Sequence, residues 1–342
     1  MTEIRINTAN PYTVTIGSGI LHSIGQQVAR LTKAESVCIV SDDRVWQLYG
    51  NAVRNSFSNI KIIVFQFPAG ESNKNSEVYL RLLNFLAENK ITRSDCIIAL
   101  GGGVVGDLAG FAAATYLRGI PYMQVPTTLL AMVDSSVGGK TGIDLPAGKN
   151  LCGAFYQPIA VLCDTDTLST LPDAIFRDGC AEVIKYAVLF DPALFAMLEE
   201  QDTDFDLEAV VARCVAHKRD VVVEDERDTG KRMLLNLGHT IGHAMETCSN
   251  YTISHGQAVA AGMAIVCRAA KCPDTARITS ILEQFGLPVS TDLSVDALYA
   301  STLSDKKRSG AAVNLIIPNA IGSCAIVPTP IRHLKTLLEE GL

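Results

Sequence analysis

The sequence predicts an α/β fold of two domains, with a mostly parallel sheet in the N-terminal domain and mainly α-helices in the C-terminal domain. From residue 1 to about 172, short β-branched runs alternate with helical stretches, as in a parallel sheet covered by helices. Beyond Pro172 the pattern changes to long apolar or amphipathic helical segments. A length of 342 residues is enough for two hydrophobic cores. We therefore expect an α/β domain over residues 1–172 and an α-helical domain over residues 173–342.

The strands and helices are predicted from hydrophobic periodicity. The candidate strands are short runs rich in β-branched residues, at positions 37–40, 60–65, 96–100 and 122–125. The candidate helices of the second domain are longer segments with helical spacing, at positions 192–200, 207–222, 234–248, 255–271 and 275–285. No internal repeat or low-complexity linker separates the two patterns, so the boundary lies near Pro172.

The composition excludes several classes of protein. With 48% hydrophobic and 19% charged residues, the chain is expected to be compact and globular. Its net charge of −7 provides no overall positive field for a nucleic acid or an anionic membrane. Any anion that the protein binds must therefore meet a local cluster of Lys and Arg.

Two features predict a soluble cytoplasmic protein. The N-terminus, Met1-Thr-Glu-Ile-Arg-Ile-Asn, lacks the pattern of a signal peptide, and no run of about 18 apolar residues occurs. The ten cysteines are scattered through apolar stretches without C-x-x-C pairs, so we expect them to be reduced core residues.

The segment 97–110 predicts a strand, a glycine-rich turn and the start of a helix, which is typical of a Rossmann-like dinucleotide site. Gly101, Gly103 and Gly106 satisfy G-x-G-x-x-G. Such glycines let the backbone approach a pyrophosphate, and the helix N-terminus offers unpaired N–H donors. The acidic residue expected about 20 positions later is absent, because the next strand ends in Gln124-Val-Pro. The motif alone leaves open a tight turn that binds no ligand.

Three histidines lie close together in sequence and indicate a metal site. His239 and His243 are four residues apart, on one face of a predicted helix, and His255 follows in Ser-His-Gly. Glu182 is available as an oxygen ligand. No glutamate follows His239, so the pattern is not that of an H-E-x-x-H zinc protease. The alternative is that these histidines are buried, hydrogen-bonded core residues. The remaining histidines are interpreted as structural: His22, His217 and His333.

Cationic residues cluster near small polar residues and indicate an anion site. The segment 133–144 is too small and polar for a core and carries Lys140, and Lys149 and Asn150 follow it closely. Lys185 lies one helical turn after Glu182, and Lys306-Lys307-Arg308 precede a predicted turn. Solvated surface lysines are the alternative interpretation.

Taken together, these motifs resemble the dehydroquinate synthases among the sugar phosphate cyclases, over nearly the whole chain. The motifs that carry the resemblance are Pro68-Ala-Gly-Glu-Ser-Asn-Lys, Gly101-Gly-Gly-Val-Val-Gly-Asp, Arg118-Gly, Pro126-Thr-Thr-Leu-Leu, Val133-Asp-Ser-Ser-Val-Gly-Gly-Lys-Thr-Gly, Gly148-Lys-Asn, Thr170-Leu-Pro, Ala181-Glu-Val-Ile-Lys, Arg232-Met-Leu-Leu-Asn-Leu-Gly-His-Thr-Ile-Gly-His-Ala, Ser254-His-Gly and Asp305-Lys-Lys.

The resemblance implies a divalent metal, Zn²⁺ or Co²⁺, held by Glu182, His239 and His255, with His243 turned toward the substrate phosphate. Spacing alone would have paired His239 with His243. The resemblance also implies NAD⁺ in the first domain. The residues that it assigns to NAD⁺ are Asp42, Glu71, Ser72, Asn73, Lys74, Gly102, Gly103, Val104, Val105, Gly106, Asp107, Thr127, Thr128, Lys140, Lys149, Thr167, Leu168, Ser169 and Thr170.

For substrate, the resemblance implies a set of polar side chains and a homodimer in which Arg118 crosses from the second subunit. The implied set is Arg118, Asp134, Lys140, Asn150, Lys185, Lys218, Arg232, Asn236, His243 and one of Lys306 or Lys307. The chain departs from the family pattern at Gln257, where glutamate is usual, and at Leu145-Pro-Ala before Gly148.

The activity implied is the cyclisation of 3-deoxy-D-arabino-heptulosonate 7-phosphate to 3-dehydroquinate and phosphate, a lyase step of the shikimate pathway to chorismate and aromatic amino acids. In it, a C5 hydroxyl is transiently oxidised, phosphate is eliminated, the hydride returns and an aldol step closes the ring. Another sugar phosphate cyclase is an alternative, which Arg232 argues against. A metal-dependent glycerol or alcohol dehydrogenase would instead accumulate NADH. An inactive scaffold should have lost metal or lysine positions, and none is lost.

Overall fold

The computed structural model describes residues 1–306 and 312–342 and divides into two compact units. The first contains Met1–Leu171 and Leu207–Arg227, and the second contains Pro172–Asp206 and Asp228–Leu342. The boundary at Leu171 lies next to the change of pattern in the sequence. The segment Leu207–Arg227 differs from the expected division, because it lies with the first unit rather than with residues 173–342.

The first unit is a layered α/β structure. Its strands are β1 (Thr2–Ile6), β2 (Tyr12–Gly17), β3 (Ser36–Asp42), β4 (Lys61–Phe67), β5 (Cys96–Gly101), β6 (Tyr122–Pro126), β7 (Lys140–Leu145), β8 (Gly148–Phe155) and β9 (Ala160–Asp164). Its helices are α1 (Ile24–Leu31), α2 (Asp43–Asn55), α3 (Ser76–Glu88) and α4 (Gly103–Thr115), to which the later segment adds α7 (Leu207–Glu224).

Seven strands form one sheet in the order β1-β2-β9-β6-β5-β3-β4. All neighbours are parallel except β1 and β2, which form an antiparallel pair at one edge. Strands β7 and β8 form a separate antiparallel hairpin. The mostly parallel sheet of the predicted α/β fold is confirmed.

Alternate residues of the central strands supply the two cores of this unit. On β3, Val37 and Ile39 face a cluster that includes Ile24 of α1 and Val53 of α2. The intervening residues of β3 face a second cluster, which includes side chains of α3 and α4. Strands buried on both faces read as continuous apolar runs, which is why this part of the sheet could be predicted.

Helix α7 packs against β1 and β2 of the first unit. Its buried side chains are Val210, Val211, Cys214, Val215, Lys218, Val221 and Val222. A helix with this apolar face is compatible with either unit from the sequence alone, because hydrophobic spacing does not say which surface the face covers.

The second unit is mainly helical within the part of the chain that the structure describes. Its helices are α5 (Asp173–Phe190), α6 (Pro192–Gln201), α8 (His239–Cys248), α9 (His255–Ala269), α10 (Thr275–Gln284), α11 (Val295–Lys306) and α12 (Ile331–Gly341). Strands β10 (Ala312–Ala320) and β11 (Ser323–Pro330) form an antiparallel hairpin. Apolar residues of α8, α9, α11, α12 and β10 form one core.

Most predicted elements are confirmed, with two kinds of difference. The segment 234–248 is not one helix, because α8 begins only at His239, after a short 3₁₀ turn at Lys231–Asn236. Strands β1, β2 and β9 and both hairpins were not predicted. Across the described residues, no helix is both long enough and apolar enough to span a membrane.

Candidate active site

Three potential metal ligands come together in the second unit although they are far apart in sequence. Glu182 lies in the middle of α5, and His239 and His255 are the first residues of α8 and α9. The Nε2 atoms of His239 and His255 lie 3.6 and 3.5 Å from Glu182 Oε1. One ligand atom from each residue lies within 4.8 Å of the other two. The set implied by the sequence resemblance therefore converges on one point.

Two glycines allow this convergence. Gly238 has φ 79°, a left-handed conformation that favours glycine, and it places His239 at the start of α8. A Cβ atom at Gly256 would lie 2.0 Å from the carbonyl oxygen of Asp178, so only glycine lets α9 approach α5 this closely. The His255 ring is thereby brought to Glu182, which lies one turn after Asp178 on α5.

Gln257, where the family pattern has glutamate, supports the N-terminus of α9. Its side-chain Oε1 accepts from the backbone N–H of Ser254 at 3.3 Å, completing a capping box. Its own N–H donates to Asp178 Oδ1 at 3.1 Å. Since glutamine serves as well as glutamate in a capping box, the substitution keeps the helix start that carries His255.

The two histidines differ in their electrostatic surroundings. Burial and the nearby Lys185 ammonium hold the pKa of His239 well below its ordinary value, so the ring is neutral. Its Nδ1 lies 3.0 Å from the carbonyl oxygen of Leu237, which accepts the ring N–H and leaves the Nε2 lone pair facing Glu182. Burial alone would lower the pKa of His255, but contacts with Glu182 and Glu246 outweigh it and raise that pKa to about 10.

This donor set fits a divalent metal. Two imidazole nitrogens and one carboxylate oxygen are the ligands of many catalytic zinc sites, which keep further positions open. Lys185 is buried and forms an ion pair with Glu182. His243 lies one turn after His239 but is exposed, with its ring centroid 6.2 Å from that of His255. The site thus joins different helices, rather than the pair His239 and His243 that spacing alone suggests.

The residues implied for NAD⁺ follow the carboxyl ends of neighbouring strands. Asp42 ends β3, residues 71–74 follow β4, and residues 102–107 follow β5. Thr127 and Thr128 follow β6, and Thr167–Thr170 follow β9. Because β9, β6, β5, β3 and β4 are adjacent and parallel, all these segments lie along one edge of the sheet. Open α/β sheets bind nucleotides at this edge.

The glycine turn has the backbone geometry that the motif predicts. Gly102 precedes α4, whose first N–H groups are available to a ligand. A Cβ atom at Gly106 would lie 2.5 Å from Gln124 Oε1, so the third glycine of the motif lets α4 pack closely on β6.

The buried side chain of Lys74 contacts three carboxylates, one of them from Asp107 at the start of α4. Lys74 Nζ lies 2.7 Å from Glu71 Oε1, 3.4 Å from Asp107 Oδ2 and 3.8 Å from Asp144 Oδ1. Burial raises the pKa of Asp107 to about 6, against the opposing effect of Lys74. Asp42 instead caps α2, with its carboxylate accepting from Val45 N–H at 2.9 Å.

Five of the residues implied for substrate lie in the first unit: Asp134, Lys140, Asn150, Lys218 and Arg118. Lys218 Nζ donates to Asp134 Oδ1 at 2.9 Å and to the Asp134 carbonyl. Lys140 begins β7 and is exposed. Asn150, with φ 54°, donates its backbone N–H to Asp144 Oδ1 at 2.8 Å. The carboxylate of Asp144 therefore contacts both Asn150, in the β7–β8 hairpin, and Lys74, which follows β4.

Arg118 lies in an exposed turn of the first unit, and the remaining implied substrate residues lie in the second unit. Arg232, in the turn before α8, is only 2% exposed. Asn236 ends the same turn. Arg118 ends a 3₁₀ turn after α4, where Leu117 and Arg118 have φ 50° and 67°. The side chain of Lys306 and the whole of Lys307 lie outside the described residues.

Sequence reasoning missed three carboxylates that support these residues. Asp178 contacts the start of α9, Glu246 faces His255 with Oε2 3.6 Å from Nδ1, and Asp144 anchors the β7–β8 hairpin. Asp144 lay inside the segment recognised as a binding loop. Asp178 and Glu246 sit in ordinary helical contexts, and no sequence signal distinguishes them.

Comparisons with known proteins agree with the motifs. Family models described as 3-dehydroquinate synthase N-terminal and C-terminal match residues 64–178 and 179–308. A 3-dehydroquinate synthase of Streptococcus suis (strain 05ZYH33) is 43% identical, over 98% of this chain and 99% of its own. That of Pelobacter propionicus is 44% identical, over 98% and 99%.

Solved structures of related cyclases have the same fold. A 2-deoxy-scyllo-inosose synthase complexed with carbaglucose-6-phosphate, NAD⁺ and Co²⁺ is 26% identical, covers 100% of both chains and has a TM-score of 0.89. A 2-epi-5-epi-valiolone synthase from Streptomyces hygroscopicus with NAD⁺ and Zn²⁺ bound is 26% identical, covers 96% of both chains and has a TM-score of 0.87. The full-length similarity and the two family models show that this chain belongs to the 3-dehydroquinate synthase family.

Proposed function

We propose that this protein is a 3-dehydroquinate synthase, which converts 3-deoxy-D-arabino-heptulosonate 7-phosphate to 3-dehydroquinate and phosphate. The observation that carries the proposal is the convergence of Glu182, His239 and His255 in a chain 43–44% identical to such synthases over nearly its whole length. The reaction belongs to the shikimate pathway and has no net redox change.

The metal site is assigned to Glu182, His239 and His255, with Zn²⁺ or Co²⁺ as the ion. When bound there, a divalent metal supplies a Lewis acid that polarises a substrate hydroxyl. Glu182 contributes a negative charge that offsets part of the charge of a divalent cation. Lys185 forms an ion pair with that buried carboxylate and fixes its position.

The NAD⁺ site is assigned to the carboxyl edge of the first unit's sheet. When bound, NAD⁺ supplies a hydride acceptor that returns the hydride later in the cycle. The N–H groups at the start of α4 are suited to the pyrophosphate. Glu71, held by Lys74 at 2.7 Å, takes the role of the ribose-binding acid that the glycine motif lacks.

The substrate's two anionic ends are assigned to different side chains. Lys140, Asn150, His243 and the partner subunit's Arg118 hold the phosphate, whose own oxygen then removes the proton next to the oxidised carbon. Arg232 binds the carboxylate in a bidentate contact, because a guanidinium matches carboxylate geometry. Lys218 adds a positive charge, and Asp134 fixes the position of its Nζ.

The redox cycle gives the first test. Because the hydride removed from the substrate returns to it within the same cycle, catalytic amounts of NAD⁺ should support many turnovers. We expect phosphate release from the heptulosonate phosphate, measured colorimetrically, with no net rise in absorbance from NADH. Stoichiometric accumulation of NADH with turnover would contradict the proposal and favour a metal-dependent dehydrogenase.

We also propose a homodimer in which Arg118 reaches the neighbouring active site. Leu117 and Arg118 are consecutive non-glycine residues with positive φ, a conformation that persists only where surrounding contacts compensate its cost. Leu117 is 38% exposed, and Leu151 and Phe155 of β8 are 46% and 45% exposed. Burial of these apolar side chains by a second copy of the chain supports the proposal.

Mixing inactive variants tests this arrangement. When the Arg118→Ala and His239→Ala variants are mixed in equal amounts and exchange subunits, we expect the mixture to recover about a quarter of wild-type activity. About half of the dimers are hybrids, and each hybrid has one complete site. The measurement is phosphate release before and after exchange.

A control separates a crossing arginine from one that acts in its own subunit. When the double variant Arg118→Ala/His239→Ala is mixed equally with wild type, a crossing arginine leaves about a quarter of full activity, because only wild-type homodimers work. An arginine acting in its own subunit leaves about half. A fully active monomer in sedimentation would also contradict the dimer.

We place the enzyme in the cytoplasm. All ten cysteines are free thiols. Free thiols persist in a reducing compartment, which supports this location.

A further inference from the structure

A buried carboxylate that has no assigned role faces the far side of the ligand His255. Glu246 lies on α8 and its side chain is 3% exposed. Its Oε2 atom lies 3.6 Å from His255 Nδ1, while His255 Nε2 lies 3.5 Å from Glu182 Oε1. One imidazole ring therefore lies between two carboxylates, with one nitrogen directed at each.

This arrangement selects the form of the ring that a metal requires. A neutral imidazole has one N–H group and one lone pair. A carboxylate beside Nδ1 keeps a proton at that atom, so the proton that a metal displaces is the one at Nε2, on the side of Glu182 and His239.

The other histidine ligand is held by a different kind of group. His239 Nδ1 faces the neutral carbonyl of Leu237 at 3.0 Å, whereas His255 Nδ1 faces a carboxylate. Groups that hold the second nitrogen of a histidine ligand fix its orientation, and a carboxylate also makes the ligand more basic. The two ligands should therefore respond differently when the group behind them is changed.

The position of Glu246 is fixed by the end of its helix. Its backbone carbonyl accepts from Tyr251 N–H at 2.7 Å and from Ser249 Oγ at 3.0 Å. Burial of a carboxylate is costly unless a partner compensates it, and the His255 ring is such a partner. The carboxylate is thus held at one place beside the ring.

We infer that Glu246 is a positioning residue that orients His255 Nε2 toward the metal and raises the affinity of the site. The inference rests on the proposed metal site at Glu182, His239 and His255. Glu246 also lies within 4.8 Å of potential ligand atoms of His243 and His255, so direct coordination by Glu246 is the competing outcome.

Titration of the metal-depleted full-length protein with Co²⁺ tests the inference. We expect Glu246→Gln, which keeps the side-chain size but removes the charge, to raise the Kd for Co²⁺ by about 10- to 100-fold. The visible spectrum of the saturated variant should match that of wild type, because the three ligands are unchanged. At saturating Co²⁺, kcat should return to within about threefold of wild type.

Two control measurements show whether the change in Co²⁺ affinity is specific to the contact between Glu246 and His255. Glu283→Gln, an exposed carboxylate on α10, should leave the Kd unchanged. In a His255→Ala background, Glu246→Gln should have no further effect on Co²⁺ affinity, because the positioning contact is already lost.

Each negative result of the Co²⁺ titration leads to a different conclusion. An unchanged Kd in Glu246→Gln, with normal binding by wild type, overturns this inference alone. An altered saturated spectrum, or the loss of one of two bound Co²⁺ ions, overturns it in favour of direct coordination. If wild type binds no Co²⁺, the metal proposal fails and the inference fails with it.

Discussion

His239→Ala should lose its metal and at least about a thousandfold in kcat/KM. His239 supplies one of three converging ligands, and its lone pair is directed at the site by the Leu237 carbonyl. A Lewis acid contributes several kcal/mol to such a reaction, and about 4 kcal/mol corresponds to a thousandfold change in rate. Elemental analysis of the purified variant and phosphate release with added Zn²⁺ or Co²⁺ measure the two effects.

Two further histidine variants serve as controls for this prediction. His333→Ala, exposed on α12 of the same unit, should retain both metal and activity. His243→Ala should retain metal but lose activity, because we assign it to phosphate rather than to the metal. Full activity of His239→Ala without bound metal would refute the assigned site.

Arg232→Ala should lower kcat/KM for the heptulosonate phosphate by at least about thirtyfold without releasing metal or NAD⁺. The side chain is 2% exposed, so its contact with the substrate carboxylate would be shielded from water. Losing one partner of a buried, hydrogen-bonded charge pair costs about 2–5 kcal/mol, and about 2 kcal/mol is a thirtyfold change.

The same residue should set substrate choice. Arg232→Lys keeps the charge but loses the planar fork, so we expect activity between those of wild type and Arg232→Ala. Arg277→Ala, an exposed arginine paired with Glu199, should behave as wild type. Sedoheptulose 7-phosphate lacks the carboxylate and should be a very poor substrate. Comparable turnover of it by wild type would favour a valiolone-type cyclase.

Local sequence patterns predicted four of the seven strands of the main sheet, whereas β1, β2 and β9 were missed. Strands β3, β5 and β6 are mostly apolar runs because both of their faces are buried, and such runs are visible without knowledge of the fold. Strand β4 lies at an edge of the sheet, and its run of β-branched residues was enough to predict it. Strand β1 is largely exposed and lies at the edge of the sheet beside β2, so its five residues lack a continuous apolar run and were not predicted. The position of α7 depends on which surface its apolar face covers, which is a tertiary property.

The candidate metal site was predictable only in part for a similar reason. Helical spacing relates His239 to His243, since both lie on α8. The contact of His239 with His255 and Glu182 depends on how three helices pack, and on the close approach that Gly256 permits. Motif resemblance supplied that contact, whereas Glu246 has no local signal because one glutamate in a helix resembles any other.

Following the hydride of the substrate through one turnover tests the proposed redox cycle. With substrate deuterated at C5 and catalytic unlabelled NAD⁺, the proposed cycle removes the deuteride from C5 and returns it to the same carbon. Mass spectrometry and NMR of the carbocyclic product should then show full retention of deuterium at that carbon, with one phosphate released per product. Loss of the label from the product, or its accumulation in reduced NAD, would contradict the account.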